Sequence, residues 1–592
     1  MNPIDAILCL VIFLPLTAIL LGRLRIETGI LALAVGFSVA SLVTQIWDEY
    51  VGRLSSDEIQ LVLIGCFLVT FVFVIMKDNI ARHDRSSIFA IVAVGVPAAI
   101  SASAMIFGRV MAHNQISGSV TTLSFLATKE DSAKWLNIAS QISSGKLVSV
   151  SAVGGVLTCF LVVIFSFVRL IGPVFSFSSI DVRQAIDTVA IAQIALVPLS
   201  SFALIGFLGS DRSRRPQLLD LFRFWPAVLV MQGLVVWPMA LSHISLQLAI
   251  VMLVFGLSII GSRELSPTIF CSYSFVAAVG LSTWLGTQVV IPIFSLCCLL
   301  IFSRGLAKQL RIRVKCLNYF VLLLPVVLSL SSFRYAFDSN SRLTSLFTAS
   351  GATVVSSTEM QLSVAVLLLG LLLHEKVNQI TFQKYWQLIF LMTVLLVAQT
   401  QDQMRTGVLN YGSQKFGFLI FSVLLVLLIP IVFENMIGIF DRNLTALILV
   451  VLSLFTILNV NGLVTGSVIV YKDTLWPQKY IENETSWLTF GSGIRIEGDS
   501  AQMPIGCVIK LKDQSPSVSR LTYICTRLLV GVAGLENEAT AVVQWQMSGD
   551  WKIARELLSN LPIGIRQRKM IVLDENNSTR DLVAIETIIN SS

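Results

Sequence analysis

The chain has 592 residues, 55% of them hydrophobic and only 13% charged, with 42 Lys+Arg against 35 Asp+Glu. A soluble domain carries roughly a quarter charged residues, so this balance, with a mean hydropathy of +0.81, excludes an ordinary globular enzyme. The basic excess lies before Gly462, since the remainder holds 13 basic and 14 acidic side chains; it follows loop topology and gives no support for nucleic-acid binding.

Apolar stretches, roughly fifteen of them, fill residues 5–459, each near the ~20 residues a helix needs to cross a ~30 Å hydrocarbon layer. The first, Asp5 to Gly22, lacks a basic leading segment and is followed at once by Thr28 to Ile46, so it reads as a retained helix and not as a signal peptide. Ile59 to Met76, Ile244 to Ile260 and Phe416 to Phe433 contain no Lys, Arg, Asp or Glu. The expected fold is an all-α polytopic membrane domain over residues 1–460, with about 14 to 16 transmembrane helices, an irregular membrane-proximal linker over 461–505 and a small extracytoplasmic α/β domain over 506–592. Seven of the nine cysteines lie in or beside apolar runs, where a thiol acts as a small buried hydrophobe.

Short basic loops face the cytoplasm. The rule places Arg23 with Arg25, Lys77 with Arg82 and Arg85, and above all Arg304 to Cys316 inside. The polar stretch Arg109 to Ser151 then lies outside, and five further runs after Leu317 put the C-terminal tail outside as well. The two halves disagree in parity by one run, which points to a miscounted helix between Ala152 and Gly209.

Within the stretch Arg109 to Ser151, Glu130 and Asp131 stand in tandem before Trp135, Leu136 and Ile138. Adjacent carboxylates hold a divalent metal or take a proton from a sugar hydroxyl when their surroundings tune them. The same residues after Thr128 also make a helix cap with acids in the first turn. A second outer loop, Phe333 to Thr358, carries Arg334 and Arg342 before a run of small residues, and a third, Gln401 to Lys415, carries Arg405. Such arginines either grip a lipid phosphate through paired hydrogen bonds or sit solvated.

The tail after Asn461 changes to strand and loop composition. Gly506 to Lys512 and Lys569 to Leu573 read as strands; Ser519 to Ala533, part of Ala539 to Leu561 and Thr579 to Ile589 read as helices. Placed outside, Cys507 and Cys525 are either a disulfide or two buried thiols. No phosphate-cradling GxxxxGK[ST] loop and no HExxH or paired-cysteine metal motif occurs, which argues against ATP-driven transport in cis and zinc hydrolysis.

Many helices, an acidic pair in an early outer loop and an outer C-terminal domain together resemble membrane-embedded glycosyltransferases of the C superfamily, and the overall style resembles actinobacterial envelope proteins. The resemblance implies catalysis by Glu130 and Asp131, a donor phosphate held by Arg334, Arg342 or Arg405, and a divalent cation, Mg or Mn, at Asp131. It further implies a polyprenyl-phosphate-linked sugar donor and an envelope glycan acceptor as partners beside the lipid bilayer, and a cell-membrane location. The acidic pair here follows four runs where that superfamily usually has one. Two other classes remain open: a transporter or flippase of a lipid-linked envelope precursor, and a membrane scaffold.

Overall fold

The computed structural model describes residues 3–21, 24, 26–77, 95, 99, 133–148, 150, 154–175, 181–203, 244–260, 267–284, 291–302, 318–326, 419, 423, 505–509, 526, 556–573 and 580–590. This part is mostly helical. Helices α1 (Pro3–Leu20), α2 (Ile26–Tyr50) and α3 (Ser56–Lys77) form an up-down-up set joined by short turns. Over Pro3–Leu20, Thr28–Tyr50 and Ser56–Phe73 they are long and apolar enough to cross a membrane. They coincide with the first three apolar runs of the sequence and extend the second by four residues at its C-terminal end.

The start of α3 is set locally. Ser55 and Glu58 cap it reciprocally: the Glu58 carboxylate accepts from the Ser55 amide at 2.7 Å and from the Ser55 hydroxyl at 2.9 Å, while the Glu58 amide donates to Ser55 Oγ at 3.4 Å. Just before it, the two-residue strand β1 (Leu54–Ser55) pairs antiparallel with β2 (Leu147–Val148), Leu54 opposite Val148. That pairing fastens a segment about ninety residues downstream onto the α2–α3 turn.

Between them in sequence comes α4 (Ala133–Ser143), which ends in a turn with Gly145 at φ 66°. Every side chain from Trp135 to Ile142 is buried. α4 is enclosed, packed mainly on α6 (Asp181–Phe202) and also on α5 (Gly155–Phe175). Its polar residues bond inward, Gln141 Nε2 donating to Asn137 Oδ1 at 2.9 Å and Ser140 Oγ to the Asn137 carbonyl at 2.7 Å. Residues 128–132, where a helix cap was expected, lie outside the described residues.

Helices α7 (Ile244–Ile260), α8 (Pro267–Ser282) and α9 (Ile291–Ile301) also belong to the described part. The closest pairing is between α7 and α8, and small residues permit it. A Cβ at Gly256 would lie 2.5 Å from Ala277 Cβ and 2.6 Å from the Tyr273 carbonyl, and one at Gly280 would lie 2.7 Å from Met252 Cβ.

In the tail, β3 (Cys507–Ile509) runs parallel to β4 (Lys569–Leu573), which pairs antiparallel with β5 (Arg580–Ala584), giving the order β3-β4-β5. The short helices α10 (Ile563–Arg566) and α11 (Ile585–Asn590) flank it. The strand expected at Lys569 to Leu573 is present at those bounds, and β3 falls inside the expected Gly506 to Lys512. One expectation is corrected: Thr579 to Ile589 is not a single helix. Residues 580–584 are drawn into the ladder with β4, and the helix begins only at Ile585. The helix expected over Ser519 to Ala533 and most of that within Ala539 to Leu561 lie outside the described residues.

Gly256→Val is expected to lower stability by about 1–3 kcal/mol through overpacking, read as a fall in the thermal midpoint of the detergent-purified chain. Gly65, whose Cβ position has nothing within 4 Å, is the control: Gly65→Ala leaves the midpoint unchanged or raises it.

Candidate functional site

Where α1, α3 and α5 meet, four polar side chains come together in an apolar surrounding. Asp5, in the first turn of α1, is fully buried. Its Oδ1 accepts a hydrogen bond from Gln60 Nε2 at 2.7 Å, and the same nitrogen donates to Ser166 Oγ at 2.9 Å. Ser166 Oγ itself donates to the Val162 carbonyl one turn back at 2.9 Å. Its only hydrogen is therefore used, so towards Gln60 it acts as acceptor. Both hydrogens of the Gln60 amide are then spent, one on α1 and one on α5, which fixes the orientation of the amide and leaves Oε1 buried with no partner.

Arg169, one turn beyond Ser166, brings a guanidinium nitrogen to 3.4 Å from Asp5 Oδ2. The guanidinium carbon also stands 5.4 Å from the centroid of the Phe165 ring, a cation–π contact that helps to hold the side chain. Phe13 of α1 and Phe167 of α5 pack edge-to-face, with centroids 5.7 Å apart. The helical spacing does the positioning: Phe165, Ser166 and Arg169 recur at three and four residues on α5, and the Ser55–Glu58 cap sets the start of α3 just before Gln60. Chemically, the group can hold or pass a proton, bind one more hydrogen-bond donor at Gln60 Oε1, or act as polar glue between three helices.

The sequence reading treated Asp5 only as the edge of an apolar run and gave Arg169, Gln60 and Ser166 no role. A signal was present in the acid opening the first run and the lone arginine within Gly155 to Phe175, since charges inside such runs are rare and face partners. Their pairing, 164 residues apart, is not written in any local pattern.

The residues singled out from the sequence fall elsewhere. Glu130 and Asp131 lie outside the described residues, as do Arg334, Arg342, Arg405 and Cys525. Ala133, the first residue of α4, follows Asp131 by two positions. Cys507 opens β3, and a Cβ at the preceding Gly506 would lie 3.0 Å from Thr526 Oγ1, the neighbour of Cys525 in sequence. Among the described residues no group of three or more His, Cys, Asp or Glu side chains is placed to hold a metal ion. Comparison with protein-family models, with curated proteins and with solved structures finds no match to this chain.

Asp5→Ala removes the acceptor from a buried amide and is expected to cost about 1–3 kcal/mol. Arg169 is 32% exposed, so solvent weakens its attraction, and a double-mutant cycle with Arg169→Gln is expected to give a coupling below about 1 kcal/mol. Asp5→Asn keeps an acceptor for Gln60 and is expected to be the milder change. Thermal unfolding of these variants measures each term; an Asn variant as damaged as the Ala one would shift the weight from the hydrogen bond to the charge.

Proposed function

We propose that the chain is an integral membrane glycosyltransferase of about 14 to 16 spans, which uses a polyprenyl-phosphate-linked sugar at the outer face of the cell membrane for envelope glycan assembly. The observation that carries the reading is the setting of the acidic pair. Glu130 and Asp131 precede by three and two residues a helix whose side chains are buried from Trp135 to Ile142. A rigid, enclosed helix is a better support for a reacting carboxylate than a mobile loop. The β1–β2 pairing adds to this, because it ties the far end of the same segment to the α2–α3 turn, at the opposite end of α2 from its N-terminus.

In this reading one carboxylate of the pair deprotonates the acceptor hydroxyl as it attacks the sugar, and Arg334, Arg342 or Arg405 stabilises the departing phosphate. The leaving lipid phosphate supplies the driving force, in keeping with a sequence that carries no ATP motif. A C-terminal domain on the outer face, built on β3-β4-β5, stands on the acceptor's side of the membrane.

A second reading draws on a different observation. The buried Asp5, paired with the partly exposed Arg169, is the kind of intramembrane charge that marks translocation pathways, which favours a transporter or flippase of a lipid-linked precursor.

One assay separates the two. Membranes containing the chain are offered a panel of radiolabelled polyprenyl-phosphate sugars, beside a Glu130→Gln, Asp131→Asn double variant of equal abundance. The expected outcome is transfer to envelope material that falls by about 100-fold or more in the variant. Transfer untouched by the substitutions removes the acidic pair from the site, and transfer from no donor moves the assignment to transport.

A further inference from the structure

Asp5 is a carboxyl with too few donors around it for a charge. Its Oδ1 accepts a hydrogen bond from Gln60 Nε2, its Oδ2 accepts none, and the residue has no solvent exposure. An ionised carboxylate is an acceptor at both oxygens, and in an apolar interior it is stable when donors or a close cation fill them. Ser166 also stands beside Asp5, but its hydrogen is spent on the Val162 carbonyl. Arg169 is a weak substitute. Its nitrogen at 3.4 Å from Oδ2 is too far for a charge-assisted hydrogen bond, which takes about 2.7–2.9 Å. The guanidinium is also 32% exposed, so water competes with Asp5 for it.

The amide bonded to Asp5 has the matching deficiency. Gln60 Nε2 gives its hydrogens to Asp5 and Ser166, and Gln60 Oε1 is buried and accepts nothing. Turning the amide over is no remedy, because Oε1 would then face Asp5 Oδ1. The two orphaned oxygens thus belong to side chains already joined by the 2.7 Å bond from Nε2 to Oδ1. Both are acceptors as long as Asp5 is ionised. One hydrogen on Oδ2 changes this: the carboxyl becomes a donor, loses its charge, and keeps Oδ1 as the acceptor for Gln60.

Few other charges bear on the pair. Among the described elements α1 packs on α2, α3 and α5. Arg169 is the one charged residue of α5; α3 carries Asp57, Glu58 and Lys77, and α2 carries Glu27, Asp48 and Glu49. The remaining titratable groups on these helices are the thiols Cys9, Cys66 and Cys159 and the Tyr50 phenol. Of the charges, Arg169 and Asp57 act on Asp5, with opposite signs. Glu58 is engaged with Ser55 at the α3 cap.

We propose that Asp5 is a proton-binding site: its Oδ2 carries a hydrogen at neutral pH, shared with Gln60 Oε1, and Arg169 is the partner that Asp5 turns to when the proton leaves. The proton comes from water at the end of the bundle where Arg169 meets solvent. Its uptake forms the Oδ2–H bond, oxidises and reduces nothing, and leaves the Arg169 charge uncompensated, which its exposure tolerates. The site does not involve Glu130 or Asp131 and stands under either reading of the function, so its test needs no turnover.

The full chain is reconstituted in lipid vesicles, and its infrared spectrum is compared with that of Asp5→Asn at about pH 7, where ordinary carboxyls are ionised. Asn offers Gln60 both an acceptor and a donor, as the neutral acid does, so the variant preserves the hydrogen bonds of the cluster. The expected result is a carbonyl band of a protonated carboxylic acid that shifts in heavy water and is missing from the variant. The band is full at low pH and is lost as pH rises through the titration of Asp5. In Arg169→Gln it persists to a pH higher by about half a unit, because the cation that favours release of the proton is gone and was already screened by solvent.

Loss of a carboxylate band in the variant, with no acid band in the unaltered chain, overturns the proposal; this is the result if Asp5 is ionised and a bound water serves its Oδ2. A titration that Arg169→Gln leaves unmoved overturns Arg169 as the second partner. If the variants fail to insert, the unaltered chain, isotope-labelled at its aspartate carboxyl carbons and glutamine side-chain nitrogens, is read by solid-state NMR. The carboxyl correlated with the Gln60 nitrogen is expected to have the shift of an acid, and the shift of a carboxylate at about pH 7 overturns the proposal.

Discussion

In an apolar surrounding water is not available to repair a missing hydrogen bond, so each polar group in a helix layer needs a partner supplied by the protein. The Gln60 amide meets that requirement for α1 and α5 at once, with one nitrogen donating to Asp5 and to Ser166. This side chain thus joins the up-down-up set to the helix that follows the β1–β2 pairing, beside the Asp5–Arg169 ion pair and the Phe13–Phe167 contact. Elsewhere the same need is met within each helix: Ser41, Thr44, Thr70, Thr158 and Thr188 all donate to carbonyls three or four residues back.

Close approach of helices is arranged by small residues instead of by large apolar ones. Gly36 accepts Phe67 and Thr70 of α3, Gly155 accepts the backbone of α2, and Gly256 with Gly280 seats α7 on α8. Where the surrounding solvent is itself apolar, burying a leucine between helices gains little, and contact between backbones counts for more. That explains how long exposed apolar side chains such as Leu10, Phe13, Val69 and Phe73 can coexist with a dense interior.

Much of the fold was legible because a spanning length is a local property. The runs at α1, α2, α3 and α7 could be read from composition alone, and β4 from a short apolar stretch. What the sequence hid depends on distant partners. Arg580 to Ala584 carries no decisive local sign of strand and becomes one because β4 lies beside it. Trp135 to Ile142 mixes polar and apolar residues, yet in the fold every one of its side chains is buried. The site was less legible than the fold. The tandem acids and the loop arginines attract attention by residue type, whereas Asp5, Gln60, Ser166 and Arg169 acquire meaning only when three helices meet.

The sequence separation within that cluster also bears on how the chain is made. Asp5 finds Gln60 after 55 residues, but Arg169 is synthesised more than a hundred residues later still. At 5–20 residues per second, the nascent helix α1 waits roughly five to twenty seconds for its cation. During that interval Asp5 has only an amide for company, and the placement of α1 is provisional. The arrival of α5 closes the cluster, so α1, made before both of its partners in the cluster, is held there only once the later of them is in place.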